Sequence, residues 1–283
     1  MQFTMYSRFI STLEKLGADR AAEYAANLGF SSVEILEYAA PGHPSVIPAR
    51  ETAKTVRKAL AEHGLTVACY SVCAWLYRDA AAEESLKYHA EIVAELGCPF
   101  LHHTLLPWLK KTDDLPSLDE ALEPAADAAA RVANYAAPLG VTCLYEDQGL
   151  YANGVTGFGT FYREIKNRTS NVGVCGDVGN VLFVDEGPVP FFREFIADIR
   201  HVHVKDYHST TDPTVSPGPR WHETMHGNWV SDCIFGQGDV DIAGCMDILK
   251  KAGYNGALAF ENEHPEPFET GIKQGMDYLK RFL

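Results

Sequence analysis

Hydrophobic and polar positions alternate between two rhythms along the chain. Short apolar runs occur at 3–7, 31–37, 65–72, 99–104, 141–146, 171–177, 200–208 and 256–261. Between them, at 18–29, 49–64, 81–97, 118–140, 159–167, 189–198, 241–254 and 267–282, the patterns read as helical. A period of two puts one face of a strand in a core, and a period near 3.6 does the same for a helix. Several helical stretches stop at a glycine, the residue that most easily takes the left-handed turn closing a helix. The pattern predicts eight strand–helix units. Strands separated by helices pair in parallel through right-handed crossovers. Eight such units in one α/β domain spanning 1–283 fit a (β/α)8 TIM barrel. The rival, an open doubly wound sheet, favours a G-x-G-x-x-G turn after an early strand, and the sequence has none.

One connection breaks the rhythm. Residues 206–240 form a link far longer than its neighbours, carrying Trp221, His222, His226, Trp229 and Phe235. Long connections in barrels are usually functional. The aromatic content predicts an ordered lid over 207–238, lying across the C-terminal mouth of the barrel. The competing expectation is a subunit contact in a homo-oligomer, with Trp221 and Trp229 against a neighbouring copy.

Composition narrows the function classes. The chain is 46% hydrophobic, enough for a large core, and no apolar run approaches the roughly 20 residues of a membrane span. The opening "MQFTMYSRFI" lacks the basic start and apolar core of a signal peptide, so a cytoplasmic location is expected. Seven cysteines without a C-x-x-C pair read as reduced core residues rather than a disulfide framework or thiolate zinc site. A formal net charge of −14 opposes nucleic acid and anionic membrane as partners. It leaves a small neutral or cationic substrate open.

The candidate chemistry sits at strand ends. In "RHVHVKDYH" (200–208), His201, His203 and Lys205 share a strand face. The preceding strands end at Glu146 and Asp177, and the last ends at Glu261. Barrel active sites lie at the C-terminal strand ends. Four neighbouring strands therefore aim two glutamates, an aspartate and a histidine at one volume. Buried like charges are costly, and a divalent cation removes the repulsion.

With these residues in view, the chain resembles the sugar phosphate isomerase/epimerase family of xylose-isomerase-like barrels. The resemblance spans nearly the whole chain and is carried by "SSVEIL", "CLYEDQG", "GVCGDVGN", "HVHVKD", "GQGDVDIAG" and "GYNGALAFENE". It implies one divalent metal held by Glu146, Asp177, His203 and Glu261, with His201 one pleat deeper in a supporting role. It further implies that Glu146 and Glu261 act as an acid–base pair on a keto sugar or polyol, through an enediolate, as an isomerase or epimerase. The oxygen-rich donor set suits Mn²⁺, with Mg²⁺, Co²⁺ and Zn²⁺ as alternatives.

Expected substrate contacts are Lys205, Asn180, Glu34, His226, Trp229 and His103. Of His102 and His103 only one can point inward; the sequence leaves the choice open. The resemblance also has gaps. Ketose 3-epimerases of the family carry a histidine and an arginine where this chain has Asn180 and Ser209. The H-x-K-D ending resembles inosose dehydratases, and enzymes that cleave 3-oxo-glycosides share the barrel, so a metal-dependent lyase is the second reading. Endonuclease IV-like DNA repair enzymes share the fold, but they need further histidines, one of them at the Asn180 position.

Overall fold

The computed structural model describes residues 1–38, 45–106, 115–212, 218, 220–261 and 267–283. Seven parallel strands open the chain: β1 (Gln2–Met5), β2 (Ser32–Tyr38), β3 (Thr66–Cys73), β4 (Phe100–His103), β5 (Thr142–Glu146), β6 (Val172–Asp177) and β7 (Ile199–Val204). Next come β8 (Asp206–Thr210), β9 (Trp221–Glu223) and β10 (Trp229–Cys233), an antiparallel sheet in the order β8-β10-β9. The last strand, β11 (Ala257–Phe260), returns to the parallel set and closes it in the order β1-β11-β7-β6-β5-β4-β3-β2. This is the expected barrel. Helices α1 (Phe9–Leu16), α2 (Ala18–Asn27), α3 (Arg50–Glu62), α4 (Ala80–Leu96), α5 (Leu118–Ala136), α6 (Gly159–Lys166), α7 (Pro188–Phe195), α8 (Ile242–Lys251) and α9 (Phe268–Leu279) complete the α/β fold.

Local chemistry sets the helix ends. Asp79 accepts the Ala81 and Ala82 N–H groups at the start of α4, and Ser117 with Glu120 forms a capping box on α5. Helix α4 stops at Gly97, whose φ of 70° favours a residue without Cβ. Along α5 a stripe of alanines, including Ala121, Ala125, Ala129 and Ala133, is wholly buried. Side chains this small let the helix lie close against its neighbours.

Alternation then fixes the barrel interior. Cys69, Leu144 and Cys175 form a small apolar cluster with Phe100 packed against it. Two residues further along their strands stand Ser71, His102, Glu146 and Asp177, all buried. The apolar plug forms a floor, and the polar side chains stand on it toward the C-terminal mouth.

Two details differ from the sequence pattern. Helix α1 was not foreseen. The run 200–208, expected as one strand, is divided: β7 ends at Val204, and β8 begins at Asp206 in the second sheet. The long connection is thus partly a sheet rather than a coil; its residues 213–217 and 219 lie outside the described set, as do 262–263 of the last motif. No helix among the described residues is long and apolar enough to cross a membrane.

Candidate active site

Glu34 on β2 is fully buried in the barrel. Its Oε2 accepts His201 Nε2–H at 2.7 Å, and its Oε1 accepts the Ser71 hydroxyl at 2.5 Å and His203 Nε2–H at 3.0 Å. Burial alone would raise the Glu34 carboxyl, but His203 and His201 hold it well below the usual carboxylate range. A carboxylate that accepts from Nε2 turns the other nitrogen of His203 the opposite way.

That other nitrogen, Nδ1, faces the acidic strand ends. It lies 2.7 Å from Glu146 Oε1, 3.5 Å from Glu261 Oε2 and 3.9 Å from Asp177 Oδ2. The Tyr6 ring stacks on the imidazole with centroids 4.8 Å apart, fixing its plane. One ligand atom from each of Glu146, Asp177, His203 and Glu261 lies within 4.8 Å of the others. The four residues singled out in the sequence therefore do converge.

Electrostatics shows how crowded the acids are. Burial pushes Asp177 up to about 7, with Lys205 opposing and Glu146 and Glu261 reinforcing the rise. Burial would raise Glu146 too, but His203 holds it at about 2. Burial would lower His203, but Cys175, Glu34 and Glu146 around it push it well above the ordinary imidazole value. Asp177 is fixed by its neighbours' backbone: Oδ1 accepts the Gly179 and Asn180 N–H groups, both at 2.7 Å. Its Oδ2 is buried and accepts no aligned hydrogen bond. A cluster of three carboxylates and one imidazole fits a divalent cation, and its donor set suits Mn²⁺, Mg²⁺, Co²⁺ or Zn²⁺.

The pair "HH" is resolved by the register of β4. His102 turns inward: its Nδ1 lies 2.8 Å from Ser71 Oγ, and its Nε2 lies 3.5 Å from Glu146 Oε2. Since the Ser71 proton goes to Glu34, Nδ1 carries the hydrogen and Nε2 presents a bare lone pair. Burial lowers the His102 pKa to about 4, keeping the ring neutral. His103, the expected contact, points the other way, edge-on to Tyr145 with centroids 5.0 Å apart.

A cleft of about 330 Å³ opens above the cluster, with Lys205, Glu261, Asn180, Gln148, Trp221 and Trp229 among its lining. Lys205 and Asn180 stand where expected, joined by an Nζ–Oδ1 hydrogen bond of 3.0 Å. Trp229 also borders a second groove on the outer side of the small sheet. Two further expected contacts lie away from the cleft. Glu34 has both oxygens engaged, by His201, Ser71 and His203. His226 is at the hairpin tip with 66% of its side chain exposed, and it is paired with Asp185 at 2.9 Å. His222, on β9, lines the cleft instead. No sequence pattern marks Ser71 or Tyr6.

Comparison with known proteins bears on the family and the fold. The xylose isomerase-like TIM barrel family matches residues 22–282, and the chain belongs to that family. No curated protein matches it significantly. Among solved structures, an L-ribulose 3-epimerase aligns with a TM-score of 0.75 at 18% identity, covering 100% of this chain and 94% of its own. The probable 3-DHS dehydratase AsbF from Bacillus anthracis aligns at 0.74 and 12%, covering 99% of each chain. The IOLI protein with a bound zinc atom aligns at 0.73 and 16%, covering 100% of this chain and 98% of its own. At these identities the likeness is one of fold.

Proposed function

We propose that this chain is a cytoplasmic, divalent-metal-dependent isomerase or epimerase acting on a keto sugar or a polyol-derived ketone. The observation that carries the reading is the convergence of Glu146, Asp177, His203 and Glu261 beneath an open cleft. When bound there, a divalent cation supplies a Lewis acid that polarises a carbonyl and acidifies the carbon beside it. Glu261 belongs to the cluster and also lines the cleft, so it is the carboxylate that takes the α-proton. Glu146, ionised and paired with His203, takes a proton from solvent and relays it to the other side of that carbon. Trp221 and Trp229 offer ring faces to the apolar side of a sugar.

Elimination is the second reading, supported by Lys205, whose ammonium stands 2.8 Å from Glu261 Oε1 beside the cleft. Isomerisation and elimination share α-proton removal and part afterwards. The test is metal analysis of the purified protein, then incubation with a panel of keto sugars and Mn²⁺ in deuterated buffer. Solvent deuterium at the α-carbon of a product with unchanged composition supports the isomerase. A product short of a leaving group supports the lyase. Metal-replete protein that exchanges no proton in any member of the panel counts against both.

A further inference from the structure

Lys205 is a cation buried at the edge of the cluster, only 4% exposed. Its Nζ lies 3.0 Å from Asp177 Oδ2, 2.8 Å from Glu261 Oε1 and 3.0 Å from Asn180 Oδ1. Two of its three anchors are thus side chains of the ligand set. We propose that Lys205 is an internal counter-cation that holds Asp177 and Glu261 together before metal arrives, competes with the metal for them, and is displaced toward the cleft when it binds. The inference rests on the reading of these four residues as a metal site.

The geometry favours displacement over permanent pairing. Asp177 does not need Lys205 for its position, since two backbone N–H groups fix Oδ1. Its contact with the ammonium, at Oδ2, is not an aligned hydrogen bond, so it is held mainly by charge. Charge is what a divalent ion replaces. Once Oδ2 and the Glu261 carboxylate serve the ion, an ammonium a few ångströms away repels it. Asn180 lies outside the ligand set and lines the cleft beside Lys205, so its amide oxygen remains as the tether. The displaced Nζ is then free to meet a substrate oxygen. Loading the metal would thereby also complete the substrate site.

The sign of one measurement separates this role from a merely structural one. Lys205→Met removes the charge and the competition, so calorimetric titration with Mn²⁺ should show binding tightened by about tenfold or more, as expected for a like charge taken from a poorly solvated site. The metal-free variant should melt below the wild type, and its melting point should rise further on adding Mn²⁺. Lys205→Arg, which keeps the charge, should bind Mn²⁺ as the wild type does. Weakened or unchanged Mn²⁺ affinity in Lys205→Met overturns the proposal, because a residue that only braces the ligands would cost affinity when lost. Should Lys205→Met fail to fold, a crystal structure of the Mn²⁺-loaded wild type decides. Nζ must then lie beyond hydrogen-bond reach of Asp177 Oδ2, more than about 3.5 Å away; a retained contact overturns the proposal. If the wild type binds no divalent ion, the metal reading falls together with this inference, whereas binding without the Lys205 effect sinks this inference alone.

Discussion

At the residue scale, the site divides into groups that meet the ligand and groups that aim them. His203→Ala should abolish Mn²⁺ binding, while His201→Ala should leave much of it, since His201 hydrogen-bonds Glu34 and packs edge-on against the His203 ring without being one of the four converging ligand residues. Glu34→Gln keeps the shape but weakens the acceptor behind His203, and its Mn²⁺ affinity should fall by roughly 10–100-fold, the usual effect of losing a partner behind a ligand. Glu261→Gln should lower turnover by roughly 10²–10⁴ with metal occupancy measured in the same sample; normal turnover would make Glu261 a ligand and nothing more. The four-residue cluster was legible in the sequence because each member lies at or next to the end of a barrel strand. The choice between His102 and His103 was not, because it depends on which face of β4 turns inward. Far from the site, burial lowers His89 to about 4, with Nδ1 facing the Tyr70 hydroxyl at 3.1 Å. The folded protein resists that proton, whereas the unfolded chain takes it near 6.5. Stability should therefore be full above about pH 6.5 and fall toward pH 4, by up to about 3 kcal/mol from this residue. Denaturant melts of His89→Gln between those values should show a shallower loss; an unchanged slope would show that His89 does not contribute.

At the element scale, the eight-unit rhythm could be read from periodicity because each strand is flanked by amphipathic helix. The break between β7 and β8 could not, because the run from His201 to His208 holds no glycine or proline to mark it. What divides them is tertiary. The Asp206 carboxylate accepts the N–H groups of Tyr207, Gly236, Gly238 and Val240, tying the start of the long connection to its end. At the far end Asp185 accepts from Thr224, Asn228 and His226, pinning the hairpin tip to the barrel. His226 is thus a latch, a role its sequence position does not reveal. Asp206→Ala should speed amide exchange across 234–240 while leaving the barrel strands protected, and Asp185→Ala should do so around 224–228. Exchange that rises equally in both regions for either variant would mean the sheet moves as one body.

At the scale of the whole molecule, the barrel and the sheet above its mouth invite a test of what the sheet covers. Trp229→Ala should raise KM for a sugar-like substrate with little change in fold or metal content. If it instead turns an oligomer into a monomer with the pocket chemistry intact, the sheet is a subunit contact. The cysteines extend this question. Six of the seven are buried, and Cys73 is half-buried beside Glu146 and Glu261, with burial and those charges raising its thiol to about 11. The buried six are scattered through the architecture: Cys69, Cys143 and Cys175 in barrel strands, Cys98 just before β4, Cys233 in the sheet over the mouth, and Cys245 in α8. The chain thus carries its own set of opening gauges. A thiol reagent applied to the native protein reaches each sulfur only when its element opens, so labelling rates read element by element give local opening free energies. Early labelling at Cys233, with Cys143 and Cys175 still protected, would time the opening of the mouth separately from the unfolding of the barrel.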